Sequence, residues 1–273
     1  MTAESSVTAR IVAAPGWIAT RGIIAANFRQ LRPIILPLAT AAVVLLIWQA
    51  IVTALRIPAV ILPPPVEIAG ELWWHWPVLL SHAVPTTFDS LMAFSLATAL
   101  GFGLAVVLTY SPLLRDMLYP NLVAFQLVPK VALAPLFVVW LGISSESRVT
   151  FATFISFFPV VISAAVGFAS TEASALRLCR SLTASQWQQF LMVRFPFALP
   201  AIFSGMKIAM TMAIIGEFIS AKAGLGFYIL YASSRMETGV IFAALFVLCV
   251  IGVALFGAVA LAEQLVRRSY GRR

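Results

Sequence analysis

Charge is what this chain has least of. Of its 273 residues only 10% are Asp, Glu, Lys or Arg, against about a quarter in soluble domains. A water-facing surface needs roughly 25–35% charged residues. A conventional soluble enzyme is therefore excluded, and hydrocarbon is the expected solvent. Acid is scarcest of all: ten Asp and Glu scattered along the chain and two His offer no His, Ser/Asp or paired-carboxylate constellation for an intramembrane enzyme. Cysteine is nearly missing too. Cys179 in a basic connecting stretch and Cys249 in an apolar run provide neither C-x-x-C metal spacing nor a disulfide framework. His75 and His82 read as solvated loop residues, so no metal site is expected. No G-x-x-x-x-G-K-[ST] run exists, so any ATP consumed must be bound by another polypeptide.

What the chain has in excess is apolar sequence, at 62%. About 20 mostly apolar residues cross a bilayer as a helix, and six stretches qualify: 34–55, 85–110, 119–141, 149–169, 198–219 and 240–265. The expected fold class is an all-α integral membrane protein with about six transmembrane helices. Residues 1–33 lack a compact apolar core followed by a small-residue cleavage site. They read as a retained cytoplasmic or interfacial segment carrying Arg10, Arg21, Arg29 and Arg32. The first span, 34–55, is followed by an external loop, 56–84, with Pro63-Pro64-Pro65 and with Trp73, Trp74 and Trp76 as interfacial anchors. Residues 85–265 form the transmembrane core, and 266–273 a basic cytoplasmic tail.

An even number of spans puts both termini on one side. On that side lie twelve arginines, at 10, 21, 29, 32, 115, 177, 180, 194, 267, 268, 272 and 273, whereas the opposite loops hold four cations, Arg56, Arg148, Lys222 and Arg235. The positive-inside rule then makes both termini cytoplasmic. The net charge of +8 fits anionic lipid and topology control; with no basic stripe interleaved with exposed aromatics, nucleic acid is not an expected partner. The cytoplasmic loop 170–198 is too long for a turn and too polar for a span. Its helix formers, including Ala173, Leu176, Arg177 and Gln186, predict two short helices against the membrane's inner face, the second ending before Pro196.

In that loop LTASQW at 182–187, VRFPFALP at 193–200 and GMKIA at 205–209 resemble the signature of binding-protein-dependent ABC importer permeases, E-A-A, three residues, G, nine residues, I-x-L-P. The stretches PKVALAPLFVVWLG at 129–142 and GEFISAKAGLG at 216–226 are similar to those of the nitrate, sulfonate and taurine branch, which includes permeases for pyrimidine precursors of thiamine. The similarity covers roughly 85–265. It implies a type I importer permease fold with a cytoplasmic coupling helix, and coupling to an ATPase through Arg177, Arg180, Ser181, Leu182, Thr183, Ala184, Ser185 and Trp187. It also implies the partners: a second permease copy as a homodimer, two ATP-binding subunits that hold ATP and Mg, and an extracytoplasmic substrate-binding protein, all at a bacterial inner membrane. This chain itself would hold no cofactor. The motif departs from the pattern, with Arg177 where Glu is usual, Cys179 for an Ala and Thr183 for the turn Gly. Thr tolerates positive φ poorly, so either the turn is regular here or the motif is degenerate.

Intramembrane polar residues are the candidates for the pathway. Lys130 and Glu217 sit in apolar runs where a central charge costs about 2.5–3.5 kcal/mol, Gln126 lies one turn before Lys130, and Asp89 either caps or faces an outer vestibule. Pro129 and Pro135 predict a broken helix, a feature found at membrane depth where it lines a cavity or is buried in protein. Lys130 and Glu217 either contact substrate or gate, pair to lock the bundle, or snorkel; Lys207 reads as snorkelling. Gly101, Gly103, Gly252 and Gly257 read as helix-packing positions. The expected cargo is a sulfonate- or nitrate-like anion or a pyrimidine-type vitamin precursor. The competing reading, an ion-coupled secondary transporter, has no need of the 170–198 platform, and the two halves show no inverted repeat.

Overall fold

The computed structural model describes the backbone of residues 16–218 and 222–270, with the side chains at 16–31, 33, 34 and 217 outside the description. Among the described residues every regular element is helical. The chain divides into two units, Met1–Ile57 and Pro58–Arg273. In the first, helix α1 runs over Gly16–Ala54, so the backbone of residues 16–33 is helical and continuous with the first span. Its portion Ile35–Ala54 has a mean hydropathy of 2.3. The side chains of Arg10, Arg21, Arg29, Arg272 and Arg273 lie outside the described residues.

The second unit opens with helix α2 at Pro65–Trp74 and helix α3 at Trp76–Tyr110, broken only at His75. Most of the segment expected as external loop is thus helical. Pro65 occupies the first turn of α2, where a missing N–H costs nothing. Trp73 and Trp74 are about four-fifths exposed, as interfacial anchors require. Helix α3 continues through Pro85, beside which Thr86 and Thr87 donate hydroxyl hydrogen bonds to the carbonyls of His82 and Ala83.

Helix α4, Pro112–Leu127, starts on Ser111, whose side chain accepts the N–H of Leu114. It ends at Val128, which adopts an extended conformation because the residue before a proline is disfavoured in the helical region. A 3-10 turn, Lys130–Leu133, leads into helix α5, Ala134–Leu141, bent by 89° from α4. The third span is therefore a broken pair, and Lys130 sits at the bend rather than within a helix. Gly142 at φ 76° terminates α5, and Ser144 caps helix α6, Ser145–Ala169. Helix α7, Ala173–Ser181, is followed by α8, Gln186–Gln189, a π turn at Phe190–Arg194 and helix α9, Phe195–Ile215. A 3-10 turn at Gly216–Phe218, helix α10 at Leu225–Ser234 and helix α11 at Thr238–Tyr270 complete the chain. Five helices of the described chain are long and apolar enough to span a membrane, six spans if the bent pair counts as one.

Helix α6 packs against both α3 and α9. Small residues make this possible. Ala93, Ala97, Gly101 and Ala105 form a buried stripe at four-residue spacing along α3, and a Cβ on Gly101 would lie 2.9 Å from that of Val160. On the other side of α6, a Cβ on Gly205 would lie 2.6 Å from that of Ser163 and 2.7 Å from the carbonyl oxygen of Pro159. In lipid, where burial of apolar surface gives no net drive, such backbone approach is the main source of helix association. Gly103 and Gly257, expected at packing positions, face open space. Gly167, Gly205 and Gly216 fill that role instead.

Candidate coupling surface and transmembrane polar sites

The loop between α6 and α9 folds into a helix, a tight turn and a second helix. At the end of α7 the N–H of Ala184 bonds the carbonyl of Cys179 and the N–H of Thr183 that of Arg180, both at 3.0 Å. This paired pattern closes a helix through one residue in the left-handed conformation, usually glycine. Thr183 takes it, at φ 58°. The turn that the usual Gly would make is thus made by Thr, and it is not replaced by a regular helical continuation. Ser185 then starts α8 with a reciprocal cap: its Oγ accepts from the N–H of Gln188, whose Oε1 accepts from the N–H of Ser185. Gln189 donates back to the carbonyl of Ala184.

This second helix does not stop before Pro196, as the sequence reading expects. It runs on as one helix from Gln186 to Ile215. The π turn supplies the reason: the N–H of Phe195 bonds the carbonyl of Phe190, five residues back, and the widened turn upstream accommodates the proline ring and its missing donor.

Arg177, Arg180, Ser181, Leu182, Thr183, Ser185 and Trp187 are all exposed, while Ala184 is half-buried. Leu178 joins them. With Leu182 and Trp187 it presents three large apolar side chains, each at least 60% exposed, on the connection that carries Arg177 and Arg180. The sequence reading missed Leu178, although its spacing of four from Leu182 on a polar helix marks one face. Trp187 stacks on the buried Phe190, at 5.6 Å between centroids, and Phe190 in turn contacts Phe168 and Tyr110. The exposed patch is thus anchored to the ends of α3 and α6.

The intramembrane polar residues separate into distinct groups. Lys130 Nζ donates to the carbonyl of Gln126 at 3.0 Å and lies 5.1 Å from the centre of the Phe158 ring. The bend brings Lys130 and Gln126 together, and Phe158 from α6 with them. Glu217 belongs to the 3-10 turn after α9; its side chain, and so its pairing with Lys130, lies outside the described residues. Asp89 is buried at 6% exposure and salt-bridged to Arg148, itself 3% exposed. Arg148 thus belongs to the first turn of α6 and not to a solvated loop. Lys207, read as snorkelling, pairs with Glu263 of α11 at 2.8 Å, and Glu263 also meets Arg267. His75 pairs with Glu71 at 3.0 Å, and His82 stacks on Tyr228 within the helical bundle.

Residues 97–268 match the family described as the inner membrane component of binding-protein-dependent transport systems. The chain belongs to this family. A probable ABC transporter permease of Haemophilus influenzae is 33% identical over 81% of this chain and 91% of its own length. The riboflavin transport system permease RibX of Chloroflexus aurantiacus is 34% identical over 84% of this chain and 88% of that relative. The taurine transport system permease TauC of Escherichia coli is 30% identical over 82% and 86%. A chain of the inward-facing MetNI methionine ABC transporter shares the fold, with a TM-score of 0.57 at 18% identity over 70% of this chain and 96% of that one. The protein is a multi-pass membrane permease subunit of an ABC importer with the type I fold, and not itself an enzyme.

Proposed function

We propose that the permease docks its ATP-hydrolysing partners through the surface formed by α7, the turn at Thr183 and α8. The observation that carries this reading is the apolar triad Leu178, Leu182 and Trp187, exposed on the same short connection as the exposed Arg177 and Arg180. Exposed clusters of this kind mark interaction sites, and the arginines suit an acidic rim on the partner. Two copies of the permease complete one pathway, two ATPase subunits bind ATP and Mg, and an external binding protein delivers the solute. The membrane is the bacterial inner membrane, with both termini cytoplasmic.

Gln126 and Lys130 at the α4–α5 bend, with Glu217 at the end of α9, are the proposed polar lining of that pathway. Lys130, placed by the carbonyl of Gln126 and the Phe158 ring, is positioned to meet an anionic group. The names of relatives for taurine and for riboflavin support a sulfonate-like anion or a ring-bearing vitamin or precursor as cargo.

The test is reconstitution in liposomes. Uptake is expected only with the ATPase, ATP and Mg inside and the binding protein outside; uptake driven by this chain and an ion gradient alone would overturn the reading. Arg180→Glu is expected to weaken ATPase co-purification about ten-fold, the effect of losing one well-formed charged contact, with solute capture by the binding protein unaltered.

A further inference from the structure

The ion pair of Asp89 and Arg148 does more than neutralise two buried charges. Asp89 follows His82 and Thr86 on α3 at spacings that put all three on one helical face; His82 and Thr86 hold the segment before α10 directly, and Asp89 does so through Arg148. The N–H of Gly224 donates to His82 Nδ1 at 3.2 Å, and the N–H of Leu225 to Thr86 Oγ1 at 2.8 Å. Asp89 accepts from Ser145 Oγ, 2.9 and 3.0 Å from its two oxygens, and from Arg148 Nη2. The other terminal nitrogen of Arg148, Nη1, donates to the carbonyl of Ala223. One guanidinium therefore joins three elements: α3 through Asp89, α6 on which it stands, and the entry to α10 through Ala223.

The place of Arg148 along α6 gives this joint its meaning. Helix α6 ends at Ala169, separated by three residues from α7, which begins the coupling surface, and Arg148 is in its first turn. At 1.5 Å per residue these ends are about 36 Å apart. Arg148 therefore stands at the end of α6 opposite to the one that leads into α7.

We propose that Arg148, oriented by Asp89, is a positioning residue for transport: its grip on Ala223 makes α10 follow α6 when the coupling surface moves. This rests on the coupling role given above to α7 and α8. A lysine in place of Arg148 keeps the charge opposite Asp89 but loses the planar fork that reaches two acceptors in fixed geometry. A pair of apolar residues of similar volume removes both charges, and such replacement of a buried ion pair is often neutral for stability.

The experiment measures solute taken up per ATP hydrolysed, in liposomes holding the full transporter with its ATPase and binding protein. R148K is expected to assemble with the ATPase and hydrolyse ATP, with uptake per ATP falling about ten-fold, as for one lost charge-assisted hydrogen bond. The double variant Asp89→Leu with Arg148→Met is expected to regain the thermal stability lost in Arg148→Met alone yet remain uncoupled. Wild-type uptake per ATP in R148K overturns the proposal, as does wild-type coupling in a folded double variant. If the double variant does not fold, R148K decides. Failure of the wild-type transporter to require ATP would instead overturn the underlying assignment of the coupling surface.

Discussion

At Thr183 a β-branched residue holds φ 58° in a turn that usually recruits glycine. A sparsely populated backbone region costs about 1–3 kcal/mol, and here the paired hydrogen bonds from Ala184 and Thr183 to Cys179 and Arg180, followed at once by the Ser185–Gln188 cap, hold the chain in it. Glycine would remove the strain but adds backbone entropy to the unfolded chain, about 0.5–1 kcal/mol. T183G is therefore expected to stabilise the turn by about 1 kcal/mol, read as a higher melting temperature of the purified permease, with ATPase binding retained. A lower melting temperature would mean that the Thr183 side chain contributes more than its strain. The sequence alone posed this question without answering it: the substitution of Thr for Gly is visible there, but whether the backbone keeps the left-handed turn depends on hydrogen bonds that only the folded segment forms. The same holds for Arg148. In the sequence it is one more cation near the start of a span, and nothing local signals that Asp89, 59 positions earlier, meets it.

At the scale of elements, apolar length located the spans because the bilayer sets that length almost independently of tertiary contacts. The α4–α5 break was legible for a similarly local reason, since Pro129 constrains Val128 directly. The continuation of α9 through Pro196 was not, because the compensating π turn is a shift in hydrogen-bond register with no residue type of its own. Packing glycines were legible only in part. Gly101 and Gly257 look alike in sequence, and what distinguishes them is the neighbour, which for Gly257 is absent within 4 Å. Gly205 is tightly enclosed between α6 and α9, with backbone as well as side chain in the way. Gly205→Val is expected to force α6 and α9 apart and cost about 1–3 kcal/mol or more, seen as reduced membrane accumulation and a lowered melting temperature. Gly257→Ala is expected to be neutral or slightly stabilising, given the higher helix propensity of Ala. Equal effects of the two would show that close approach of α6 and α9 is not what holds the bundle.

For the whole molecule, the proposed orientation in the membrane rests on how cations are distributed along the chain. Arg148 leaves the loops expected opposite for the protein interior, so of the four cations expected there Arg56, Lys222 and Arg235 remain. The bias that the positive-inside rule reads is thereby sharper than in the sequence alone. Because Gln186–Ile215 is a single helix of 30 residues, long enough to cross the hydrocarbon, Ser181 before it and Ser233 after it belong on opposite faces of the membrane. Both are exposed. With Cys179 and Cys249 replaced by Ala, S181C is expected to react with a membrane-impermeant thiol reagent only from the cytoplasmic side, and S233C only from outside. Reaction of both from the same side would break the six-span topology at α9 and remove the cytoplasmic position that docking of an ATPase requires.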